Sequence, residues 1–268
     1  MEPLQAVVLA LIQGITEFLP ISSSGHLILV PHVVGWPDQG LHFDIATNTG
    51  TLLAVVLYFR KDVQELLLGW LRTLGKRDPG VTASGRLAWG ILLGTVPVGL
   101  AGLLFKDQVA TVARNPQLIG TTFILFGLLL WWADQRGQRQ REIQVLTWRD
   151  ALLIGMAQAL ALVPGTSRSG ITMTAALFLG YTRESAARFS FLLAIPVGVL
   201  AALLDLADLV NTPLPPDEWQ GLLIGLTLSA VTAYWVIHWL LTWLRRQSMT
   251  PFVIYRLLVG ALIFGLAT

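Results

Sequence analysis

Residues 164–170 read Pro-Gly-Thr-Ser-Arg-Ser-Gly and lie between two short apolar stretches, 151–163 and 171–179. The start of the chain repeats this plan, because the apolar stretch 4–19 runs into Pro-Ile-Ser-Ser-Ser-Gly-His at 20–26 before a second short apolar run. Each stretch is shorter than the roughly 20 residues that cross a bilayer as a helix. Irregular backbone is tolerated at membrane depth only where it lines a polar cavity. Both segments are therefore predicted to be re-entrant helical hairpins.

The composition of the chain indicates that the bilayer is its solvent. Of the 268 residues, 54% are hydrophobic and 13% are charged, whereas an ordinary globular domain has roughly 25% charged residues. The chain has no cysteine. These features predict an all-α integral membrane protein and exclude a nucleic-acid-binding domain, disulfides and thiolate catalysis. Six apolar segments are predicted to span the bilayer: 43–59, 87–105, 118–133, 186–204, 219–244 and 252–267.

The basic residues favour a topology in which neither hairpin crosses the membrane. Fifteen of them then share one side, as the positive-inside rule expects of the cytoplasmic side, and only Lys106 and Arg114 fall on the other. The fifteen are Arg60, Lys61, Arg72, Lys76, Arg77, Arg86, Arg136, Arg139, Arg141, Arg149, Arg183, Arg188, Arg245, Arg246 and Arg256. The opposite face, predicted to be extracytoplasmic, holds Asp38, Asp44, Asp205, Asp208, Asp217 and Glu218.

A shift of 145 residues aligns the two hairpins without a gap. It places Gln13 on Gln158, Ser22 on Ser167, Ser24 on Ser169 and Gly25 on Gly170. The halves, about 1–133 and 148–268, are joined by a basic loop, 134–147, that is expected to be solvated. Three spans in each half would invert the second half relative to the first and direct both breaks toward the midplane.

Glu17 is the first residue at membrane depth that indicates function. An ionisable side chain costs about 2.5–3.5 kcal/mol to insert at the centre of a helix and usually faces a cavity or a partner. Gln13 lies one turn earlier on the same helix face. A structural carboxylate, and an amide that ties two helices together, are the alternative interpretations.

Arg168 lies between two serines of the second break. Its guanidinium, the hydroxyls and the backbone N–H groups at the start of the next helix would gather donors around one point, which suits phosphate or another oxyanion. A structural ion pair with Glu17 is the alternative. The predicted phosphate-binding residues are Ser22, Ser24, Gly25, Thr166, Ser167, Ser169 and Gly170.

The residues together suit phosphoryl transfer on a phosphorylated lipid. His26 follows the first serine cluster and can give or accept a proton near neutral pH. Glu17 with Gln13 is expected to hold a divalent cation, Mg²⁺ or Ca²⁺, against phosphate oxygens. Four further residues are candidates for supporting positions around the site: Asp44, Asn48, Asp150 and Gln158.

Two motifs resemble signatures of the bacterial undecaprenyl-diphosphatases, the bacitracin-resistance family. Residues 13–26 (Gln-Gly-Ile-Thr-Glu-Phe-Leu-Pro-Ile-Ser-Ser-Ser-Gly-His) resemble an (E/Q)xxxE element that runs into a Ser/Gly/His loop. Residues 150–158 and 164–172 resemble the second signature, PGxSRSGxT, and residues 189–196 are also similar. The likeness covers the whole chain in length, order and motif position. Because the first acidic position is a glutamine here, Glu17 is expected to hold the metal largely alone.

The resemblance implies an inverted-repeat fold of six spans and two re-entrant hairpins in the bacterial inner membrane, with the active site toward the periplasm. It implies hydrolysis of undecaprenyl diphosphate, which recycles the carrier lipid of peptidoglycan synthesis and confers bacitracin resistance. Our mechanistic hypothesis is that Arg168 clamps the diphosphate, Ser23 attacks the terminal phosphorus and His26 handles the proton. Direct attack by water stays open, and so does a homodimer.

Two other classes of protein use parts of this pattern. A secondary transporter or lipid flippase would have the same inverted repeats and midplane breaks, and it would move lipid without hydrolysis. An intramembrane serine protease would pair Ser23 or Ser167 with His26, but it has no use for Arg168.

Overall fold

The computed structural model describes residues 1–74, 82–112, 115–209 and 218–266. These residues form helices throughout, with no strand, as the all-α prediction requires. The helices are α1 (Pro3–Thr16), α2 (Ser23–Val34), α3 (Leu41–Tyr58), α4 (Arg60–Thr73), α5 (Ala83–Val112), α6 (Pro116–Arg136), α7 (Trp148–Ala159), α8 (Arg168–Phe178), α9 (Arg183–Leu209), α10 (Trp219–Leu244) and α11 (Thr250–Leu266). Short 3-10 turns, Ile143–Val145 and Leu160–Leu162, precede α7 and α8.

Four helices in the described ranges are long and apolar enough to cross a membrane: α5, α6, α9 and α10. The other two predicted spans coincide with α3 and α11, which have 18 and 17 residues. The chain is therefore a multi-pass, all-α membrane protein, and each of the six predicted spans is a helix.

Both interrupted segments are pairs of short helices, α1 with α2 and α7 with α8. Ser22 and Ser167 immediately precede the second helix of each pair, and both have left-handed backbone, with φ of 74° and 73°. Their hydroxyls cap the helices by accepting the backbone N–H of Gly25 at 3.4 Å and of Gly170 at 3.1 Å. This matched local geometry is what the 145-residue repeat predicts at these positions. The division into two inverted halves stays a prediction.

Close helix packing holds the hairpins among the longer helices. α10 packs along α1 and α3, α5 along α7, and α6 along α11. A Cβ atom at Gly155 would lie 2.4 Å from the carbonyl oxygen of Gly94, so α7 and α5 touch backbone to backbone. The largest apolar cluster includes Phe18 and Leu19 beside the first break and Met173 after the second. Both breaks therefore lie in the packed interior of the protein.

The segment after α3 contains a helix that the charge pattern did not predict. α4 carries Arg60, Lys61 and Arg72, three of the basic residues that the topology prediction places on the cytoplasmic side between the first two spans. It is amphipathic, with Gly69 and Thr73 buried against the protein. An amphipathic helix at a membrane interface keeps its charges in water while its apolar face is covered, so charge alone does not distinguish it from a loop.

Two charged residues are buried, one from the predicted cytoplasmic basic set and one from the predicted solvated linker. Arg256 lies inside α11 with 0% of its surface exposed, so it does not belong to the basic cytoplasmic set. Asp134, in the last turn of α6, has 1% of its surface exposed and accepts hydrogen bonds from Nε and Nη2 of Arg183. Ile143 and Leu146 are also buried, so the predicted solvated linker is anchored to the core at these points, while most of its other residues are exposed.

Lys76, Arg77, Arg114 and Asp217 of the topology prediction lie outside the described residues, as do the side chains of Lys106 and Asp208.

Candidate active site

The two breaks meet through an ion pair. Arg168, the first residue of α8, donates from Nη2 to Oε1 of Glu17 at 3.1 Å. The two side chains are 17% and 18% exposed, so neither is sealed from the surroundings. Both interpretations of Arg168, a structural ion pair and a phosphate-binding group, therefore place its guanidinium beside Glu17 at the first break.

Ser23 completes this cluster. Its hydroxyl donates to Oε2 of Glu17 at 2.6 Å, the other oxygen of the carboxylate that Arg168 contacts. A short hydrogen bond from a serine to a carboxylate is the arrangement in which the carboxylate can remove the hydroxyl proton. Glu17 is therefore placed both to accept a proton from Ser23 and to pair with Arg168.

Gln13 and Asn48 support the carboxylate from the side of α1 and α3. The Gln13 amide nitrogen donates to Oε2 of Glu17 at 3.2 Å and to Oδ1 of Asn48 at 2.8 Å. Gln13 is 1% exposed, and its amide oxygen has no hydrogen-bond partner in the structure. Asn48, predicted only as a supporting residue, thus touches the site through Gln13.

The rest of the Arg168 guanidinium is held from α9. Its Nη1 donates to the carbonyl oxygen of Ser190 at 3.3 Å. The Ser190 hydroxyl in turn accepts a hydrogen bond from Thr172 of α8 at 2.7 Å. These contacts fix the direction of the arginine, so that it reaches the first hairpin and not the bilayer.

A cavity of about 190 Å³ opens beside the cluster. Glu17, Arg168 and Asn48 form its polar end, and Leu52, Val55 and Val197 contribute apolar wall. Asp205, near the end of α9, also lines it. An amphipathic cavity of this kind fits the polar head of a lipid better than a wholly polar solute.

Several of the predicted phosphate-binding groups are engaged within the protein. Ser22, Ser167 and Ser169 are buried, and the Ser169 hydroxyl donates to the carbonyl oxygen of Leu19 at 2.9 Å, which ties the second hairpin to the first. Thr166 is 0% exposed, and its hydroxyl has no partner. The phosphate-binding role of these residues stays a prediction.

The remaining members of that set are glycines and Ser24. The Ser24 hydroxyl lies 3.4 Å from that of Ser22 and is exposed. Gly25 is required by packing, because a Cβ there would lie 2.5 Å from the ring of Phe123. At Gly170 a Cβ would lie 3.1 Å from the Ser167 hydroxyl that caps α8.

His26 is held on both ring nitrogens, and neither contacts Ser23. Nδ1 lies 2.7 Å from the carbonyl oxygen of Ser22, and Nε2 lies 2.6 Å from the hydroxyl of Tyr255 on α11. Because a carbonyl oxygen can only accept, Nδ1 carries the proton, and in the neutral ring the tyrosine donates to Nε2. The proton-transfer role of His26 stays a prediction, while the geometry gives Ser23 a closer acceptor in Glu17.

The other supporting candidates do not line the cavity. The Asp44 carboxylate accepts from the Gln39 amide at 2.9 Å, and Gln158 is 0% exposed with both amide atoms unpartnered. Asp150 forms a capping box with Thr147 at the start of α7. Burial opposes ionisation of Asp150, but hydrogen bonds from Arg141, Thr147 and Tyr181 together hold the pKa of its carboxyl below the usual value.

The oxygen atoms around Glu17 provide some, but not all, of the ligands that a divalent cation needs. In the described residues no group of three His, Cys, Asp or Glu side chains could hold a metal ion. The unpartnered Gln13 oxygen beside Glu17 is nevertheless an oxygen ligand of the kind that Mg²⁺ and Ca²⁺ take. Because Mg²⁺ often binds through one or two protein oxygens together with substrate phosphates, these two residues fit a cation that arrives with a diphosphate.

Sequence reasoning missed two residues that hold the site from α11. Tyr255 contacts His26, and Arg256 contacts both hairpin breaks, although the topology prediction counts Arg256 with the cytoplasmic basic residues. An arginine within a 17-residue apolar helix was the available signal, because such a residue usually faces the protein interior.

Fold and site together define a multi-pass helical membrane protein with a Glu–Ser–Arg cluster between two broken hairpins. The family model described as bacitracin resistance protein BacA matches residues 6–262. The chain is 59% identical over 267 residues to the undecaprenyl-diphosphatase of Magnetococcus marinus, covering 99% of both chains. It is 53% identical over 269 residues to undecaprenyl-diphosphatase 2 of Stutzerimonas stutzeri, covering 99% of this chain and 98% of the relative. The chain belongs to the bacitracin resistance protein BacA family.

Proposed function

We propose that this chain is an undecaprenyl-diphosphatase, an enzyme that hydrolyses undecaprenyl diphosphate to undecaprenyl phosphate and inorganic phosphate. Relatives at 51–59% identity over nearly the whole chain carry that name, and the family is that of bacitracin resistance. The reaction recycles the carrier lipid of peptidoglycan synthesis and confers bacitracin resistance. The observation that carries the proposal is the contact of both Ser23 and Arg168 with the Glu17 carboxylate beside a membrane cavity.

The diphosphate head group is expected to enter the cavity while its polyprenyl chain stays among the apolar helices. A volume of about 190 Å³ holds a head group but not a long isoprenoid chain. On substrate binding, Arg168 would exchange part of its contact with Glu17 for the phosphate oxygens, since guanidinium groups bind phosphates with paired hydrogen bonds. The charge that develops on the transferred phosphoryl group would then lie beside a fixed cation.

The chemical step begins at Ser23. Glu17 removes the hydroxyl proton, and Oγ forms a bond to the terminal phosphorus as the bridging P–O bond breaks. The electron pair of that bond leaves on undecaprenyl phosphate. Water then attacks the phosphoserine, and the freed Oγ regains a proton as inorganic phosphate is released. His26 is expected to keep the loop that carries Ser23 in place through its bonds to Ser22 and Tyr255.

A divalent cation would be held by Glu17 and the Gln13 oxygen, and it would neutralise charge on the diphosphate. The substrate site is proposed to face the periplasm across the bacterial inner membrane. This orientation is supported by Asp205, which lines the cavity and which the charge pattern assigns to the extracytoplasmic side.

The direct test is phosphate release from undecaprenyl diphosphate by the purified protein in detergent and in liposomes. We expect stoichiometric inorganic phosphate and undecaprenyl phosphate, with loss of the reaction on addition of a chelator. Transfer of the lipid between leaflets by well-folded protein, with no phosphate released, would instead favour a transporter. Capture of phosphate on Ser23 during turnover would distinguish the phosphoserine from direct attack by water.

A further inference from the structure

Arg256 is the most completely buried charged side chain among the described residues, with 0% of its surface exposed in the middle of α11. A guanidinium has five N–H donors. All five are used, each on a backbone carbonyl oxygen. The acceptors are Phe123 (from Nε, 3.1 Å), Pro20 and Thr166 (from Nη1, 3.2 and 3.0 Å), and Thr122 and Gly165 (from Nη2, 3.0 and 2.8 Å).

Three of these carbonyls belong to the hairpin breaks. Pro20 lies in the first break, and Gly165 and Thr166 lie in the second. No backbone N–H in the described part of the chain donates to any of the three. Backbone groups left unpaired in a membrane interior cost several kcal/mol each, so the breaks need a donor at this point.

The protein makes room for this contact. A Cβ at Gly127 would lie 3.2 Å from Cβ of Arg256, so a larger residue at this position on α6 would push α11 and the arginine away by a few tenths of an ångström. The guanidinium also lies 5.3 Å from the ring centre of Phe123. No carboxylate in the described ranges pairs with Arg256, so its charge is compensated by carbonyl dipoles.

One atom of Arg256 joins the two hairpins. Nη1 donates to Pro20, which lies midway between Glu17 and Ser23, and to Thr166, two residues before Arg168. Arg256 itself does not line the cavity. We propose that Arg256 is a positioning residue that fixes the two hairpin breaks relative to each other, and so sets the distance between the Ser23–Glu17 pair and Arg168.

A lysine cannot replace this arrangement. The lysine ammonium group has three N–H donors on a single nitrogen. The five carbonyls surround a planar guanidinium and are reached from its three separate nitrogens. Arg256→Lys keeps the charge and most of the volume and removes the simultaneous contact with both breaks. Arg183→Lys is the matched control, because Arg183 also makes a buried charged contact, with Asp134, but touches neither break.

The first measurement is kinetic and rests on the proposed function. For Arg256→Lys we expect kcat per folded protein to fall on the order of 100-fold, as misplacement of reacting groups by about 1 Å can cost, with KM changed less than about threefold. Arg183→Lys is expected to lower the thermal midpoint while kcat stays near that of the parent. Arg256→Gln serves as a second variant without a buried charge if the lysine variant does not fold.

The second measurement does not depend on activity. The chain has no cysteine, so Ile15→Cys and Leu160→Cys, at repeat-related and lipid-exposed positions near the two breaks, can carry a single pair of nitroxide labels. Pulsed electron paramagnetic resonance should give one narrow distance distribution in the labelled parent and in the Arg183→Lys background. The Arg256→Lys background should give a broader or displaced one.

The two measurements separate the two proposals. If the parent releases no phosphate but the label-to-label distances still broaden or shift in the Arg256→Lys background, the positioning role stands and the proposed function is overturned. An unchanged distribution together with unchanged kcat in both Arg256 variants would overturn the positioning role. Equal kinetic losses in Arg256→Lys and Arg183→Lys, with unchanged distances, would also overturn it, because the effect would then be general destabilisation.

Discussion

Glu17 and Arg168, which are 151 residues apart in the chain, form a 3.1 Å ion pair where the two broken hairpins meet. Neither hairpin therefore contains a complete site. The first contributes the carboxylate and the Ser23 hydroxyl, and the second contributes the guanidinium. Loss of either hairpin's contribution is expected to remove the reaction, even though the repeat gives both hairpins similar serine and glycine positions.

Ser23 is predicted to be the nucleophile because its hydroxyl donates to Glu17 at 2.6 Å. Ser23→Ala should lower kcat roughly 1,000-fold or more, since members of a nucleophile–base unit act together. Initial rates of phosphate release measure this effect. Thr227→Ala is the control, because that hydroxyl donates only within its own helix. Full activity in Ser23→Ala would assign the attack to water.

Gln13 is predicted to tune cation affinity. Gln13→Glu would place a second carboxylate one turn from Glu17, and added charge attraction of about 1.4 kcal/mol would lower the half-saturating Mg²⁺ concentration about tenfold. Titration of phosphatase activity with Mg²⁺ after chelation measures this concentration. Gln117→Glu adds the same charge at an exposed position far along the chain and should leave the titration unchanged. An unchanged titration in Gln13→Glu would place the cation elsewhere.

His26 is predicted to act by holding its loop, because Tyr255 and the Ser22 carbonyl occupy its two nitrogens. Tyr255→Phe removes one of these hydrogen bonds, worth about 1 kcal/mol, and should lower kcat about fivefold without moving the pH–rate profile. The dependence of kcat on pH provides the readout. Displacement of one limb of the profile would show instead that His26 titrates during turnover.

Asp150, in the first turn of α7, is predicted to make the free energy of unfolding depend on pH. Its folded-state pKa is lowered by hydrogen bonds from Arg141, Thr147 and Tyr181. A lowered pKa gives stability that is present above the unfolded-state pKa of about 3.9 and is lost as the pH falls through the folded-state value.

Asp150→Asn should therefore destabilise the protein by about 2 kcal/mol at pH 7. The difference from the parent should narrow as the pH falls below about 4. Thermal unfolding of both proteins in detergent across this range measures the difference. A gap that stays constant with pH would mean that the carboxylate charge does not contribute.

The sequence predicted the parts of the fold that depend on local pattern. Apolar runs located six of the helices, four of them long and apolar enough to cross a membrane, and the Pro, Gly and Ser residues located both breaks. The charge count failed for Arg256, which donates to backbone carbonyls in the interior. The solvated-linker prediction failed for Asp134, which pairs with Arg183. Such pairing joins residues more than 40 positions apart, and local pattern carries no information about it.

The sequence also predicted some residues of the candidate site but not the contacts between them. Glu17 and Arg168 stood out because a charge at membrane depth requires a partner. The direct bond from Ser23 to Glu17, and the position of His26 against Tyr255, could not be predicted, because both depend on how the chain turns at Ser22 and how α11 packs beside it. The residue pattern predicted Glu17 as a catalytic residue that holds the metal, and the structure adds that its carboxylate can accept the proton of Ser23.

The most direct test of the account is phosphate release from undecaprenyl diphosphate by purified Arg168→Ala and Glu17→Ala proteins, compared with the parent and with Thr227→Ala. We expect the parent and the control to release phosphate at the same rate, and both site variants to remain folded and lose on the order of 1,000-fold in kcat. Release at the parent rate by either folded site variant would contradict the assignment of the reaction to the cluster between the two hairpins.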